Sequence, residues 1–592
     1  MLHWYTSTAC IARAVRRPPS CTLQLRQYHT GRTLIPQPGQ GNMHPSLSHV
    51  TGDVVQPLIE KSIGAFFIEQ AIVNREREFL VDRQLGVRRS WSEFASECQA
   101  VACALLRRGF QRGDRVGVWL PNCHEWVVTQ FACHLAGLLL VNINPAYRSS
   151  ELKHALNLVG CKGIVVVPRL RSSDYAALLA EARSDGGVPS LQHVFAVERD
   201  GTQFIGATAS FSELLATPAE AELRALSCLT ASINADEAAN IQFTSGTTGA
   251  PKAATLTHRG ILNNGRFVGA ALRYGPLDRV CVPVPLYHCF GCVLGTLACV
   301  AHASVLVIPS ASFDARASLA AVADERCTSL YGVPTMFVAM LEAAADFKLG
   351  AQLRTGIMAG SPCPPDVMAS VMERLGMREV SICYGMTETS PVSFQTMDGT
   401  PPKLRCETVG TIQPHVECKV VDAAGKTVHR GEAGELCTRG YSLFSGYFAQ
   451  PQATAECVDE SGWLHTGDLA TIDTHGYCRI IGRKKDMIIR GGENVYPTEV
   501  EHFLRRHADI TDVAVIGAPH VRLGEEVVAF VIVKAGVEQS GLGDRIRAWA
   551  HGKLAHYKVP SRFFAVDEFP LTVSGKVQKF ELRRRLGCEP SQ

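Results

Sequence analysis

Short apolar runs rich in β-branched residues alternate with helical segments over much of the chain, and this alternation restricts the possible folds most strongly. Strand-like runs occupy residues 116–120, 163–167, 303–308, 330–332, 354–358 and 380–383, and helical segments such as 125–136, 334–344 and 365–375 lie between them. Neighbouring parallel strands are joined by helical crossovers that cover both faces of a sheet. The pattern predicts the α/β class, with a large N-terminal domain of layered α/β sheets and binding sites at the strand C-termini.

The pattern of predicted secondary structure changes twice towards the C-terminus. After about residue 410 the chain is β-rich with tight turns, which predicts a β-rich subdomain. From residue 487 a smaller unit begins, with helices near Pro497 and Trp549 and strands at 513–516 and 527–533. The charged segment 482–486 lies between the two units. We therefore predict an N-terminal domain over 55–484 and a small mobile α+β C-terminal domain over 485–592.

The first part of the chain differs in charge from the rest. Residues 1–52 contain no Asp or Glu, and arginines are present at positions 13, 16, 17, 26 and 32. An arginine-bearing, acid-free leader with Ser and Thr predicts a mitochondrial transit peptide over 1–41 and residence in the mitochondrial matrix. The alternative is a disordered cytosolic tail.

Overall composition excludes some classes of function. The chain is 46% hydrophobic and 19% charged, which is typical of soluble globular proteins, and no stretch approaches the length of an uninterrupted transmembrane segment. A formal net charge of +3 gives no reason to expect a nucleic-acid partner. We predict neither a transmembrane segment nor nucleic-acid binding, and the oligomeric state stays open.

One loop is suited to binding phosphate. A strand predicted at 238–243 leads into a loop rich in glycine and hydroxyl groups, and a helix is predicted at 253–267. Glycines let backbone N–H groups approach oxygens, and hydroxyls and a lysine add donors and charge. The lysine is not followed by Ser or Thr, so this is not the common P-loop. The alternative is a polar surface loop. The loop consists of Thr244, Ser245, Gly246, Thr247, Thr248, Gly249, Ala250, Pro251 and Lys252.

The chain contains 21 cysteines, scattered through predicted strands and helices. We interpret them as small buried thiols in a reducing compartment. Cys289 and Cys292 form a CxxC pair, for which zinc or redox chemistry is the alternative. No second pair at zinc spacing accompanies them, so we do not predict a metal there.

Five motifs occur in an order that resembles one known group of enzymes. They read TSGTTGAPK, YGMTET, HTGD, GRKKDMIIRGGENVYP and LTVSGK. From about residue 60 onward the chain resembles the adenylate-forming (AMP-binding) superfamily, and RGGENVYP and PLYHCFG resemble its fatty acyl-CoA synthetases. With the leader, the mitochondrial medium-chain members are most similar. The resemblance implies ATP-dependent ligation of a fatty acid to CoA through an acyl-adenylate, releasing AMP and pyrophosphate, with Mg²⁺ as cofactor.

The resemblance also implies roles for residues that bind the nucleotide. The loop with Lys252 would hold the β- and γ-phosphates, and Thr387 would contact the α-phosphate. Glu388 would carry Mg²⁺, a hard cation that prefers carboxylate oxygen. Asp468 would accept hydrogen bonds from the ribose hydroxyls, and Arg483 would reach the ribose or the phosphates. Gly360, Ser361, Pro362 and Tyr384 would frame the adenine.

The remaining implied roles fall in the C-terminal domain. Lys576 would bridge the substrate carboxylate and the α-phosphate, with nearby Lys579 as the competing candidate. Gly491 and Gly492 would line the CoA tunnel, against the alternative of an ordinary glycine turn. Lys485 would be the hinge about which the domain rotates between the two half-reactions.

The predicted acyl-binding wall contains no acid. No Asp or Glu occurs between Asp278 and Asp314, and an unpaired substrate ammonium would be costly there, so an uncharged apolar tail is favoured. His288 on this wall is a candidate gate or polar lid, and a structural histidine is the alternative. Other hypotheses are an aryl or other carboxylic acid–CoA ligase and, from another class, a catalytically inactive nucleotide-binding scaffold.

Overall fold

The computed structural model describes residues 43–199, 202, 204–244, 251–571 and 576–587. The predicted transit peptide lies outside these residues, as does the tip of the phosphate loop, namely Ser245, Gly246, Thr247, Thr248 and Gly249. Strands and helices are numbered in chain order. The described chain forms sheets A to D, a small hairpin, and the helices that cover them.

Sheet A is parallel except at the edge that carries the phosphate loop. Several of its strands are buried at every residue, so both faces must be covered. The strand Lys252–Thr257 runs antiparallel to both of its neighbours, Ala238–Thr244 and Gly446–Tyr447. In spatial order the strands are β10 (Ala209–Ser210), β9 (His193–Ala196), β6 (Gly163–Val166), β4 (Arg115–Trp119), β5 (Leu139–Asn142), β11 (Ala238–Thr244), β12 (Lys252–Thr257) and β22 (Gly446–Tyr447).

Sheet B has a parallel centre and antiparallel edges, and its residues share one hydrophobic core with sheet A. In spatial order its strands are β19 (Thr411–Ile412), β18 (Val392–Gln395), β17 (Glu379–Gly385), β16 (Thr355–Ala359), β15 (Ser329–Gly332), β13 (Arg279–Cys281), β14 (Val305–Ile308), β2 (Glu78–Asp82) and β3 (Val87–Ser90). A hairpin of β7 (Arg169–Leu170) and β8 (Ser173–Asp174) lies outside the larger sheets.

Sheet C is the β-rich subdomain and is antiparallel throughout. Its strands are β1 (His49–Thr51), β20 (Val416–Val421), β21 (Gly434–Gly440), β23 (Leu464–Ile472) and β24 (Cys478–Arg483). The predicted start of the N-terminal domain is residue 55. Because β1 pairs with β20, residues upstream of that position also belong to the folded chain.

Sheet D belongs to the C-terminal region and has a hydrophobic cluster on each face. Helices pack against it, which makes this region the expected α+β unit. Its strands are β26 (Glu493–Val495), β25 (Ile488–Arg490), β28 (Gly524–Val533), β27 (Ile510–His520) and β29 (Arg562–Ala565).

Several helices begin with a side-chain cap. At Ser90 the hydroxyl accepts a hydrogen bond from the Glu93 N–H, and the Ser90 N–H donates to the Glu93 carboxylate in return. The helices are α1 (Ile63–Asn74), α2 (Trp91–Arg107), α3 (His124–Ala136), α4 (Ser149–Val159), α5 (Tyr175–Arg183), α6 (Phe211–Leu214), α7 (Glu220–Ser232), α8 (His258–Ala271), α9 (Cys289–Gly291), α10 (Ala298–His302), α11 (Ala315–Asp324), α12 (Pro334–Ala343), α13 (Pro365–Arg374), α14 (Pro402–Glu407), α15 (Pro451–Ala455), α16 (Pro497–Leu504), α17 (Leu542–Ala550) and α18 (Lys579–Arg585). None of the helices in the described part of the chain is both long and apolar enough to cross a bilayer.

The α/β class, the layered N-terminal sheets and the α+β C-terminal unit are confirmed, but the helix predicted at 253–267 is wrong in its first part. Residues Lys252–Thr257 are strand β12, paired with β11 on one side and β22 on the other. The helix begins only at His258, where the Thr257 hydroxyl accepts from the Gly260 N–H at 3.0 Å. Sheet pairing outweighs the helix propensity of the alanines. The phosphate loop therefore joins two antiparallel strands, and no helix starts directly after it.

Two buried histidines face each other between α3 and α8. The rings of His134 and His258 are 5.4 Å apart, and neither ring nitrogen of His134 has a hydrogen-bond partner among the described residues. Burial lowers the pKa of His258 to about 4 and that of His134 well below its usual value. Both are therefore neutral in the folded protein at neutral pH.

We expect these histidines to make the protein acid-sensitive. The unfolded chain takes up protons on them below about pH 6.5 and the folded chain does not. Their contribution to the free energy of unfolding is therefore constant above that pH and falls as the pH drops towards 4. For His258 alone the loss reaches about 3 kcal/mol. Urea denaturation midpoints measured across this window should decline less steeply in His134→Phe than in the wild type. Equal slopes would contradict the assignment.

Candidate active site

The two ends of the phosphate loop lie opposite each other. Thr244 ends β11 and pairs in register with Lys252, which begins β12. The loop between them is thus a hairpin connection whose ends are fixed by sheet A. The Lys252 Nζ lies over the Tyr447 ring, 5.0 Å from its centroid, because Tyr447 in β22 is held beside β12 by the pairing of Ala254 with Tyr447.

Tyr447 connects this lysine to the predicted metal ligand. Its Oη donates to Glu388 Oε1 at 2.7 Å, and Glu388 is only 4% exposed. Burial and then the Glu388 carboxylate raise the pKa of Tyr447 well above its usual value, so the phenol stays protonated and acts as a donor. Lys252 therefore lies over the face of the Tyr447 ring, and Glu388 accepts from its hydroxyl. Tyr447 could not be predicted from the sequence, because only the pairing of β22 with β12 brings it here and no motif contains it.

Asp468 is the best-defined carboxylate of the site. It lies in β23, is 6% exposed, and pairs in register with Arg483 of β24. Arg483 Nε donates to Asp468 Oδ1 at 2.9 Å, and Tyr384 Oη donates to Asp468 Oδ2 at 2.7 Å. Burial opposes the charge on Arg483, but Asp468, Tyr384 and Asp486 together outweigh it and raise the pKa of the guanidinium. Burial, followed by the Asp468 carboxylate, also raises the pKa of Tyr384. Three residues from separate motifs thus meet at one ion pair.

Thr387 and Glu388 lie in a single 3₁₀ turn, Thr387–Thr389, that follows β17. Thr387 Oγ1 is 4.0 Å from the Cys289 sulfur, which itself lies 3.5 Å from His288 Nδ1. The predicted phosphate contact and the predicted acyl wall are therefore neighbours. In the sequence, Cys289 stands out only as half of a CxxC pair, and nothing there predicts its contact with Thr387. Burial raises the pKa of Cys289 to about 12, so it is a protonated thiol here.

His288 is a neutral side chain in this structure. Burial, and then the positive charge of Lys576, lower its pKa to about 4. Its Nδ1 accepts from the Phe290 N–H at 3.1 Å, which leaves the proton on Nε2. The ring thus caps α9 on one side and offers a donor on the other, so it has a structural role besides the predicted role as a gate.

Lys576 reaches the same place from the C-terminal region. Its charge acts on His288 and Cys289, and Arg483, Asp468 and Glu388 act on it in turn. Burial and then the positive charge of Arg483 lower its pKa. The competing candidate, Lys579, points elsewhere, with its Nζ 2.7 Å from Glu501 in the C-terminal unit.

The predicted adenine frame follows β16. Gly360 has φ +93°, a conformation that favours glycine, and Ser361 and Pro362 continue the turn. Tyr384 at the end of β17 is next to this strand in sheet B. Because parallel strands end at the same edge, the frame lies at the carboxyl edge of the sheet.

Gly491 and Gly492 form the turn of the hairpin between β25 and β26, with φ values of +60° and +90°. Two successive positive φ angles are what a two-residue hairpin loop needs, so the turn explains both glycines locally. A Cβ at Gly492 would meet no atom within 4 Å. Their predicted contact with CoA stays a prediction.

The predicted hinge lies between two ion pairs whose partners belong to different parts of the chain. Lys484 Nζ is 3.1 Å from Glu435 in sheet C, and Asp486 Oδ1 is 3.1 Å from Arg583 in α18. Lys485 stands between them in a 3₁₀ turn, Lys484–Asp486. Residues on its two sides are therefore held by different parts of the protein. The boundary at 484/485 stays a prediction.

Comparison with known proteins agrees with this geometry. The profile of the AMP-binding enzyme family matches residues 67–448, and that of the AMP-binding enzyme C-terminal domain matches residues 499–576. Similar proteins include the mitochondrial medium-chain acyl-CoA ligase ACSF2 of Danio rerio, 41% identical over 91% of this chain and 92% of the relative. The human protein of that name is 37% identical over 91% and 90%. The putative acyl-CoA synthetase YngI of Bacillus subtilis is 40% identical over 89% and 97%.

Solved structures show the same architecture. The anthranilate CoA ligase AuaEII in complex with anthranoyl-AMP superposes with a TM-score of 0.80 at 25% identity, covering 90% of this chain and 98% of that one. ATP-bound MatB from Rhodopseudomonas palustris gives a TM-score of 0.76 at 28% identity, with 89% and 99% covered. The resemblance inferred from five motifs is thus confirmed over nearly the whole folded chain, which belongs to the AMP-binding enzyme family and is an AMP-forming acyl-CoA synthetase.

Proposed function

We propose that this enzyme joins a medium-chain fatty acid to CoA in the mitochondrial matrix, using ATP and passing through an acyl-adenylate. The observation that carries the proposal is the meeting of Asp468, Arg483, Tyr384 and Lys576 next to the acid-free segment that bears His288. In this proposal these four residues bind the nucleotide, and the acid-free segment receives the uncharged tail. The mitochondrial names of the ACSF2 relatives and the acid-free leader support the compartment.

In the proposed adenylation step, the positively charged residues bind the phosphates and the carboxylate of Asp468 binds the ribose. The substrate carboxylate attacks the α-phosphorus of ATP and pyrophosphate leaves, so negative charge accumulates where the groups meet. Lys576 is placed to stabilise that charge, and Lys252 to hold the β- and γ-phosphates. Asp468, oriented by two donors, presents a carboxylate of defined direction to the ribose hydroxyls. Thr387 would contact the α-phosphate from its turn.

The donor set at Glu388 fits Mg²⁺. This ion binds through one or two carboxylates together with substrate phosphates and keeps several waters, so it needs no all-protein cage. Glu388 supplies a buried carboxylate whose Oε1 is oriented by the Tyr447 hydroxyl. Among the residues that the structure describes, no group of three or more His, Cys, Asp or Glu side chains is arranged to hold a metal ion. When bound, the ion would neutralise phosphate charge.

Pyrophosphate release by the purified protein with acids of graded chain length, with and without CoA, tests the proposal. Each buried CH₂ contributes about 0.8 kcal/mol, so kcat/KM should rise about fourfold per carbon until the pocket is filled, and then fall. We expect the maximum at medium length. A best substrate that is aromatic would favour an aryl acid–CoA ligase, and one with a free α-amino group would contradict the argument from missing acids.

The compartment has its own test. We expect the mature protein to lack roughly the first 30 to 40 residues, because acid-free arginine-rich leaders are removed on import into mitochondria. N-terminal sequencing of the protein from isolated mitochondria measures this directly. Recovery of an intact Met1 in that fraction would contradict the prediction.

A further inference from the structure

The segment that carries His288 lies between two strands of sheet B, β13 and β14, and contacts sheet A on its way. It leaves sheet B after β13, which ends at Cys281, and residues 284–292 then run past the carboxyl ends of strands in sheet A. The segment leads into a π-helix, Cys292–Leu297, so the backbone here departs from regular α-helix and strand geometry. Such bulges are rare and are often found at functional sites. Backbone groups of this segment therefore need partners outside regular structure.

Buried amide side chains of the neighbouring layer supply those partners. Asn122, just after β4, donates from Nδ2 to the Val284 carbonyl at 2.9 Å and accepts the Leu286 N–H at 2.8 Å. Asn142, the last residue of β5, donates to the Tyr287 carbonyl at 2.8 Å. The two asparagines are 6% and 2% exposed. Both thus hold the backbone on the N-terminal side of His288.

A third amide holds the other side of His288. Gln130 in α3 donates from Nε2 to the Cys292 carbonyl at 3.0 Å and accepts from the Thr296 hydroxyl at 2.9 Å. It is 1% exposed. Both ends of the turn that carries His288 are therefore attached to the layer that contains sheet A. We call Asn122, Gln130 and Asn142 the amide clamp.

The clamp continues to the strand that leads into the phosphate loop. Asn240 donates to Asn142 Oδ1 at 2.8 Å, and Gln242 donates to Asn240 Oδ1 at 2.7 Å. Asn240, Gln242 and Thr244 alternate along β11 and so share one face of the strand. The chain of amides thus connects the ATP side of the site to the backbone of the acyl wall.

We propose that the amide clamp, with Asn142 at its centre, positions the segment 284–292 relative to β11 and thereby sets which acyl tails place their carboxylate correctly for adenylation. These are positioning residues, because they act through the backbone of the segment. This inference rests on the proposed function. Satisfied buried polar networks hold one arrangement of their neighbours, whereas a buried group left unpaired favours displacement.

Asn142→Ala is the first test, with pyrophosphate release as the readout and KM measured for ATP and for each acid. We expect the KM for the preferred acid to rise on the order of tenfold, since a buried carbonyl loses its partner. The preference among neighbouring chain lengths should flatten, and the KM for ATP should change by less than about twofold.

The matched control is Asn263→Ala. Asn263 is equally buried, and it makes three hydrogen bonds to backbone groups of Ile59 and Arg259, neither of which belongs to the site. Its loss should lower the denaturation midpoint without changing the chain-length profile. If both variants alter the profile equally, the effect is general destabilisation and the clamp is overturned.

Asn122→Asp is the second variant, and it tests the amide clamp independently if Asn142→Ala does not fold. It keeps the acceptor for Leu286 and removes the donor to Val284. A buried carboxyl has a raised pKa and regains an O–H donor when protonated, so the KM for acid should recover towards the wild-type value as the pH is lowered. A wild-type KM for acid at every pH would overturn the clamp. Wild-type protein inactive with every acid would instead refute the proposed function, so the two failures are distinguishable.

Discussion

Replacing Lys576 with alanine should reduce adenylation by on the order of 10²–10³-fold, comparable to the loss of one preorganised oxyanion donor. The lysine brings positive charge from the C-terminal region to the place where Arg483, Asp468 and Glu388 converge. Thioester formation does not need that charge at the α-phosphate, so a supplied acyl-adenylate should still react with CoA at a near-normal rate. The two half-reactions are measured separately, by pyrophosphate release without CoA and by AMP release from the adenylate.

Lys553→Ala is the control for this prediction. Lys553 is an exposed lysine of the same C-terminal unit that lies over the Trp549 ring, with its Nζ 4.8 Å from the ring centroid. Its removal should leave both half-reactions unchanged. Adenylation at the wild-type rate in Lys576→Ala would show that the charge near the α-phosphate comes from another residue.

Replacing Lys485 with proline should have the opposite pattern, with thioester formation slowed on the order of a hundredfold and adenylation largely kept. Proline fixes φ and removes a backbone N–H donor. Where the chain must change conformation, we expect this to raise the barrier by about 3 kcal/mol, which corresponds to a slowing of about a hundredfold. Rotation of the C-terminal domain would need such a change, because Lys484 is held by Glu435 and Asp486 by Arg583.

Lys485→Ala separates the backbone from the side chain. It removes the ammonium group and leaves φ free, so it should retain most of the thioester activity that the proline variant loses. Equal damage to both half-reactions in Lys485→Pro would argue against alternation of the domain as the reason for the hinge.

The sequence determined the class of fold and most of the candidate nucleotide site. Short apolar strands alternating with helices require parallel sheets covered on both faces, and sheets A and B have that form. Asp468, Arg483, Tyr384 and Lys576 were all named from motifs, and the structure brings them together. Local motifs predict this much because their order resembles that of a known family, whose residue roles carry over to the matching positions.

Tertiary structure decided what depends on partners distant in the chain. Residues 253–257 have the composition of a helix but form β12, because pairing with β11 and β22 buries them in a sheet. Tyr447 joins Lys252 to Glu388 only through that same pairing. The amide clamp joins residues more than a hundred positions apart, such as Asn142 and Tyr287. A buried amide shows its partner only when the backbone is folded, since hydrogen-bond geometry is a property of space and leaves no periodic signal in sequence.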